Sequence, residues 1–368
     1  MKRYFGLLLC ALLVCGLCGG LAQARGAAVE HVLIGFNGVS DVALIEAAGG
    51  TVRYAYDIVP AVAATLPAGA AAALARNPRV AYVEPDGLVW AMAQTLPWGI
   101  DRVGADHVWP SGNKGAGVKA CVIDTGIDMD HPDLTVRGGY DFVNSDSNPD
   151  DDNGHGTHVA GIIAALDNTI GVVGCAPDCY LYAAKVLNAS GSGTISQVVA
   201  GIDWARNNGM KIVNMSLGTS TSYATLKTAC DNAWAAGLIL VAPSGGSGAG
   251  TDTVGYPAKY ASVICVGATD QSNVRASFSS TGPTLELAAP GVSIYSTYRS
   301  GGYQTMSGTS MACPHVAGVA ALVWYAQPGV SNQHVRDAMD YTALDLGSPG
   351  RDSWYGYGLV QAPAAVAY

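Results

Sequence analysis

Charge is scarce in this chain of 368 residues: Asp, Glu, Lys and Arg make up 13%, against 49% apolar residues. That balance excludes a disordered polyelectrolyte and supplies enough apolar material for a large core. The 47 glycines follow no G-x-y period, which excludes a collagen-like rod. No Lys/Arg cluster occurs. Residues 1–92 carry six acids and six bases, so the remaining 22 acids and 13 bases all lie beyond. Such a surface attracts neither nucleic acid nor anionic lipid. After Leu21 no apolar run is long enough to span a bilayer.

What is present begins with a leader. Met1–Lys2–Arg3 is basic, Gly6 to Leu21 is apolar and small, and Ala22–Gln23–Ala24 reads as an A-x-A cleavage site. Residues 1–24 are therefore expected to be a signal peptide, and the protein to be secreted and extracellular, with no membrane attachment after signal cleavage. Six cysteines follow the leader, an even number that permits disulfides in an exported chain. Cys175 and Cys179 bracket a Pro-containing turn and are the candidate pair. Cys121, Cys265 and Cys313 lie in apolar contexts that suit small buried thiols.

From Val29 to Asp86 the pattern predicts a small α/β unit. Strands are expected at Val32–Gly35, Thr51–Tyr56, Ala61–Leu66 and Val80–Val83, and helices at Val42–Ala48 and Ala68–Asn77. A linker, Gly87 to Gln94, follows. The longer remainder alternates strand and helix: Val118–Ile123, a helix from about His155, Tyr180–Val186, Ser196–Asn208, Lys211–Ser216, Tyr223–Ala236, Leu238–Ala242, Val263–Gly267 and a long helix Thr309–Tyr325. Near-continuous apolar strands joined by helices predict a mostly parallel sheet covered on both faces. Its ligands should gather at the carboxyl ends of the strands.

Three residues at such ends carry chemistry. Asp124 closes Ala120–Cys121–Val122–Ile123, where a carboxylate can be aimed at a neighbour or simply form the turn. His155 opens a helix between Gly154 and Gly156. His158 is spaced to suggest a shared metal, but no third ligand is in sight, so it reads as a structural histidine. Ser310 follows Gly308–Thr309 at the start of an apolar helix, where backbone N–H groups can hold negative charge or the hydroxyl can serve as an ordinary cap. An Asp, a His and a Ser at three such junctions of one α/β domain are the set acyl transfer needs.

Asp124–Thr125–Gly126, His155–Gly156–Thr157–His158–Val159–Ala160–Gly161 and Gly308–Thr309–Ser310–Met311–Ala312 resemble, in order, the three signatures of the subtilisin-like serine proteases (subtilases). The likeness runs from Gln94 to Tyr368 and is similar in particular to the secreted bacterial subtilisins. It implies an α/β, three-layer fold with a mostly parallel central sheet flanked by helices, preceded by a small α+β, ferredoxin-like propeptide. The divisions it implies are a signal peptide (1–24), a chaperone and inhibitor propeptide (25–92) and a peptidase domain (93–368), with self-cleavage between Met92 and Ala93. The expected activity is that of a serine endopeptidase of broad specificity, a monomer acting on proteins and peptides. Its own propeptide would be its other partner.

By the same resemblance Ser310 is the nucleophile, His155 the base and Asp124 its orienting group. Gly191–Ser192–Gly193 and Ser216–Leu217–Gly218 would flank an extended substrate, and Ile195 and Leu217 would border the pocket four residues before the cut. A structural Ca2+ is implied at Gln94, Asp133, Leu166, Asn168, Ile170 and Val172, an all-oxygen set, with Gln94 joining once the propeptide is cut. No organic cofactor is implied.

The sequence departs from the family at one position. The family's oxyanion-binding Asn is replaced in Pro243–Ser244–Gly245–Gly246–Ser247 by Gly246. The donors left are the Ser310 N–H and the Thr309 hydroxyl, with Ser244, Ser247 or a water as substitutes. Hence a second expectation stands beside the first, a catalytically weakened or engineered variant that binds peptides or stays complexed with its propeptide. A G-x-S-x-G lipase elbow with Ser before Asp and His is absent.

Overall fold

Period-two alternation builds the first of two units, which divide the chain at residues 91 and 92. The computed structural model describes residues 29–87 and 93–368; the leader at 1–24 and the Met92 side of the expected cut lie outside the described residues. The first unit runs β1 (Val29–Phe36), α1 (Val42–Ala47), β2 (Thr51–Ala55), β3 (Ala61–Pro67), α2 (Ala70–Leu74) and β4 (Val80–Pro85). Its strands form an antiparallel sheet in the order β2-β3-β1-β4. Val32, Ile34 and Phe36 of β1 and Val62, Ala64 and Leu66 of β3 share one apolar cluster with Ile45 of α1 and Leu74 of α2. Asp41 caps α1 by accepting from Leu44 N–H at 3.0 Å.

In the second unit a strand is apolar on both faces, and each face feeds a different core. The elements are α3 (Trp98–Val103), β5 (Lys119–Asp124), β6 (Val136–Asp141), α4 (His155–Ala164), β7 (Tyr180–Lys185), α5 (Ile195–Asn207), β8 (Ile212–Asn214), α6 (Ala224–Ala235), β9 (Ile239–Pro243), β10 (Ile264–Thr269), β11 (Leu287–Pro290), β12 (Ile294–Tyr298), β13 (Gly302–Met306), α7 (Thr309–Ala326), α8 (Asn332–Tyr341) and α9 (Ala362–Ala367). Seven strands pair in the order β11-β10-β9-β8-β5-β7-β6, every pairing parallel. Ala120 and Val122 of β5 join the core shared with α4, α7 and α8. Cys121 and Ile123, pointing the other way, join the core shared with α5 and α6. The result is three layers, helices on both faces of a parallel sheet.

Helix α7 is apolar around most of its circumference, and from Met311 to Trp324 every residue is buried, as a central helix must be. Helix α5 begins with a capping box, in which the Thr194 hydroxyl accepts from Gln197 N–H and the Gln197 side chain accepts from Thr194 N–H (2.8 Å). β12 and β13 form an antiparallel hairpin outside the main sheet. All six cysteines of this unit are free and buried, so the bridge expected between Cys175 and Cys179 is not formed. Burial raises both thiols far above their ordinary pKa and holds them protonated. Among the described residues no helix is long and apolar enough to cross a membrane.

Candidate active site

β5 delivers Asp124 to the carboxyl edge of the sheet, where its side chain is fully buried. Its Oδ1 accepts from its neighbour Thr125 N–H and from His155 Nδ1, both at 2.7 Å. His155 is the first residue of α4 and remains partly exposed. Burial disfavours its charged form, but the charge and hydrogen bond of Asp124, with a contribution from Asp151, prevail and raise its pKa above the ordinary histidine value. The glycines on either side are required. A Cβ on Gly154 (φ +109°) would lie 2.3 Å from the Tyr298 ring, and one on Gly156 would lie 2.1 Å from the Gly126 carbonyl oxygen.

His158, one turn further along α4, is fully buried, with Nε2 at 3.1 Å from the Ile294 carbonyl and 3.0 Å from that of Gln304. Burial lowers its pKa to about 4, so it is neutral and structural.

Ser310 is the second residue of α7. Its hydroxyl donates to the Ser216 carbonyl (3.3 Å), and the Ser216 hydroxyl donates back to the Ser310 carbonyl (2.9 Å). That second bond exists because Pro314 lies four residues on. Proline has no N–H, so the Ser310 carbonyl is left without its helical partner and turns to Ser216. The serine is thereby tied to the segment that leaves β8.

That segment forms the wall common to two adjoining clefts. One is lined by His155, Gly191, Ser192, Gly193, Ile195, Ser216, Leu217 and Gly218, which are all the residues expected to contact substrate, together with Tyr223 and Tyr256. The other is lined by Leu217, Gly218, Gly246, Thr309 and Ser310. Gly246 is exposed, and a Cβ added there would meet nothing within 4 Å. Ser244, an expected substitute donor, is buried with its hydroxyl donating to the Ser280 carbonyl at 3.2 Å. Ser247 is exposed, and its N–H donates to Ser280 Oγ.

The expected cation residues also come together. Gln94 Nε2 lies 2.6 Å from the Leu166 carbonyl, 3.2 Å from that of Val172 and 3.5 Å from Asn168 Oδ1. Asp133 accepts from Asn168 Nδ2 and Val172 N–H. A Cβ on Gly171 (φ +56°) would reach within 2.4 Å of Asp133 Oδ2, so only glycine lets the loop close this tightly. Three oxygens directed at one amide fit a hard cation. Turning that amide over would bring a fourth oxygen among them, an arrangement a hard cation would stabilise. Gln94 is held beside this loop by its neighbour Thr95, whose N–H donates to the Gly171 carbonyl (2.7 Å).

A second cluster was not marked by the sequence. Asp101, Asp106 and His107 each offer a ligand atom within 4.8 Å of the others, although Asp101 and His107 are exposed. Two are only five residues apart and the third adjoins, but they fall on α3 and the turn after it, so no linear spacing advertises them.

Comparison with known proteins follows the same lines. A model of the subtilase family matches residues 115–358. M-protease of Shouchella clausii (strain KSM-K16) is 47% identical over 362 residues, covering 94% of each chain. Subtilisin E of Bacillus subtilis (strain 168) is 49% identical over 326 residues, 88% of this chain and 85% of its own. Subtilisin DY of Bacillus licheniformis is 54% identical over 276 residues, 74% of this chain and all of its own.

Proposed function

Because the chain belongs to the subtilase family, we propose that it is a serine endopeptidase in which Ser310, His155 and Asp124 cleave peptide bonds through an acyl-enzyme. The location is extracellular, in keeping with its relatives and the leader read over 1–24. The observation that carries the reading is the 2.7 Å bond from His155 Nδ1 to a buried Asp124, beside a cleft whose wall is bonded to Ser310.

Ser310 Oγ attacks the substrate carbonyl while His155 Nε2 takes its proton. Asp124 fixes the imidazole so that Nε2 is the free nitrogen, and stabilises the imidazolium. His155 then returns the proton to the leaving amine, and water repeats the sequence on the acyl-enzyme. Ser216–Leu217–Gly218 and Gly191–Ser192–Gly193 hold the peptide as an added strand. With Gly246 in place of the family Asn, the Ser310 N–H at the start of α7 is the principal donor to the oxyanion, with the Thr309 hydroxyl beside it.

The unit before residue 92 serves as propeptide in this reading, with processing between Met92 and Ala93. Its β1-α1-β2-β3-α2-β4 order, with β1 and β3 central in the sheet, is what supports reading it as a ferredoxin-like propeptide. Calcium would be held by Asp133, Leu166, Asn168, Ile170, Val172 and Gln94, and would supply rigidity to the chain entry and the loop after α4.

The test is the intact mass of protein purified with calcium, before and after a serine-directed phosphonofluoridate. Loss of the residues up to 92 and one adduct on Ser310 is the expected result. An uncut chain that takes no adduct would favour the second reading, a weakened subtilase that binds peptides or keeps its propeptide. Gly246 is the observation behind that alternative.

A further inference from the structure

Thr125 is where three segments of the site meet. Its N–H donates to Asp124 Oδ1, the oxygen that also receives His155 Nδ1. Its hydroxyl donates to Asp151 Oδ1 (2.8 Å) and accepts from Gly156 N–H (2.9 Å) in the first turn of α4. Its carbonyl accepts from Lys185 Nζ (2.6 Å), an ammonium buried at the end of β7.

Asp151 itself is 6% exposed and uses both oxygens. Oδ1 also accepts from the N–H groups of Asn153 (3.0 Å) and Gly154 (2.8 Å). Oδ2 accepts from the N–H (2.9 Å) and hydroxyl (2.6 Å) of Thr157. One carboxylate therefore grips the residue after Asp124, the turn before His155 and the start of α4, where the helix end favours an anion. None of the three signature motifs contains it.

We propose that Asp151 is a positioning residue for this proteolysis: through Thr125 it locks Asp124 against the helix carrying His155, and it sets a second negative charge beside the imidazolium that forms during turnover. The inference rests on the endopeptidase reading. Other groups near His155 do not supply that charge. His158 on the same helix is neutral, as described. Lys185 from β7 is paired with Asp152 (2.6 Å), and Arg299, between β12 and β13, donates to the Asp152 carbonyl (3.2 Å). Asp124 from β5 is the larger influence on His155, and Asp151 adds to it in the same direction.

The experiment compares the full chain, produced with calcium, with its Asp151→Asn and Thr125→Val variants. It follows kcat/KM on a chromogenic peptide against pH, per site titrated with the phosphonofluoridate. Asp151→Asn should lower kcat roughly tenfold through misplacement of the base, leave KM within about twofold, and move the acid limb to lower pH by a few tenths of a unit. Thr125→Val, which cuts the tie and keeps the charge, should lower kcat without moving the limb. A purely structural role would reduce the titratable fraction while the surviving sites kept the parent's kcat and limb, and that outcome overturns the inference. If Asp151→Asn does not fold, an unchanged kcat per site in Thr125→Val overturns it alone. A parent chain that takes no adduct overturns the endopeptidase reading together with it.

Discussion

On the Asp124–His155 side of the cleft the loops are held by a buried carboxylate, two threonine hydroxyls and a buried ammonium. On the Ser310–Gly246 side the backbone faces an open cleft and a side chain is missing. In the proposed reaction the first side would set proton transfer, which needs one imidazole orientation and tolerates little movement. The second would stabilise charge that exists only in the transition state. A deficit confined to the second side lowers turnover and leaves folding and ground-state binding alone. On the proposed reading, a chain with the subtilase fold would differ from its family at one oxyanion donor and keep the rest of the site.

The largest expected effect tests whether both sides serve one reaction. Ser310→Ala should abolish the inhibitor adduct and lower turnover on the order of 10⁶-fold, a figure taken over from the corresponding change in a subtilisin. Mass spectrometry and a peptide assay check it, and retained turnover would separate Ser310 from the chemistry. Next comes Gly246→Asn. The open space there accepts a side chain, and kcat should rise by about 10²–10³, again the subtilisin value for that donor, with KM little changed. No rise would mean that another group already fills the position.

The third prediction sharpens the other side. His155 must be neutral to act, and its pKa is raised, so kcat/KM should fall about tenfold per pH unit below a limb lying above the ordinary histidine value. His158 and His315 have lowered values of about 4, both from burial. Their contribution to stability is complete above the unfolded histidine pKa and is lost as pH falls through about 4. Activity should therefore disappear at higher pH than the fold does, which parallel rate and circular dichroism titrations would show. Coincident curves would break the separation between base and scaffold.

The smallest effect concerns neither side. Removing calcium should lower Tm by about 5 °C, since saturation at a hundred times Kd is worth about 2.7 kcal/mol. Asn168→Ala should weaken that dependence, while the same substitution at Asp101 should not.

Much of this was legible in the chain. Both units, the strand–helix alternation and the ends of β5 and α7 follow from periodicity, because buried strands and a buried helix leave continuous apolar runs. The edge strand β6 was not, since Val136–Asp141 carries two glycines and two charged residues and is mostly only partly buried. Nor were β11, whose four residues pair with β10 some twenty residues earlier, and the short hairpin of β12 and β13. Among site residues, His158 was read correctly as structural because no further ligand accompanied it. The Cys175–Cys179 bridge was read from spacing, but spacing does not set how two side chains point. Asp151 and Lys185 are not legible in the sequence, because one carboxylate in the acidic run Asp150–Asp151–Asp152 and a lysine at a strand end look like solvated charges.

Local sequence determined the elements and the residue types at their ends, because hydrophobic period, glycine tolerance and the missing N–H of proline act within a few residues of chain. Only the tertiary structure decided which ends meet. Asp124 bonds His155 across thirty-one residues and Ser310 bonds Ser216 across ninety-four, and such closures depend on the order in which parallel strands pair. Burial is likewise a property of the assembled fold, and it is burial that keeps His158 neutral and opposes the charge on His155 that Asp124 and Asp151 favour.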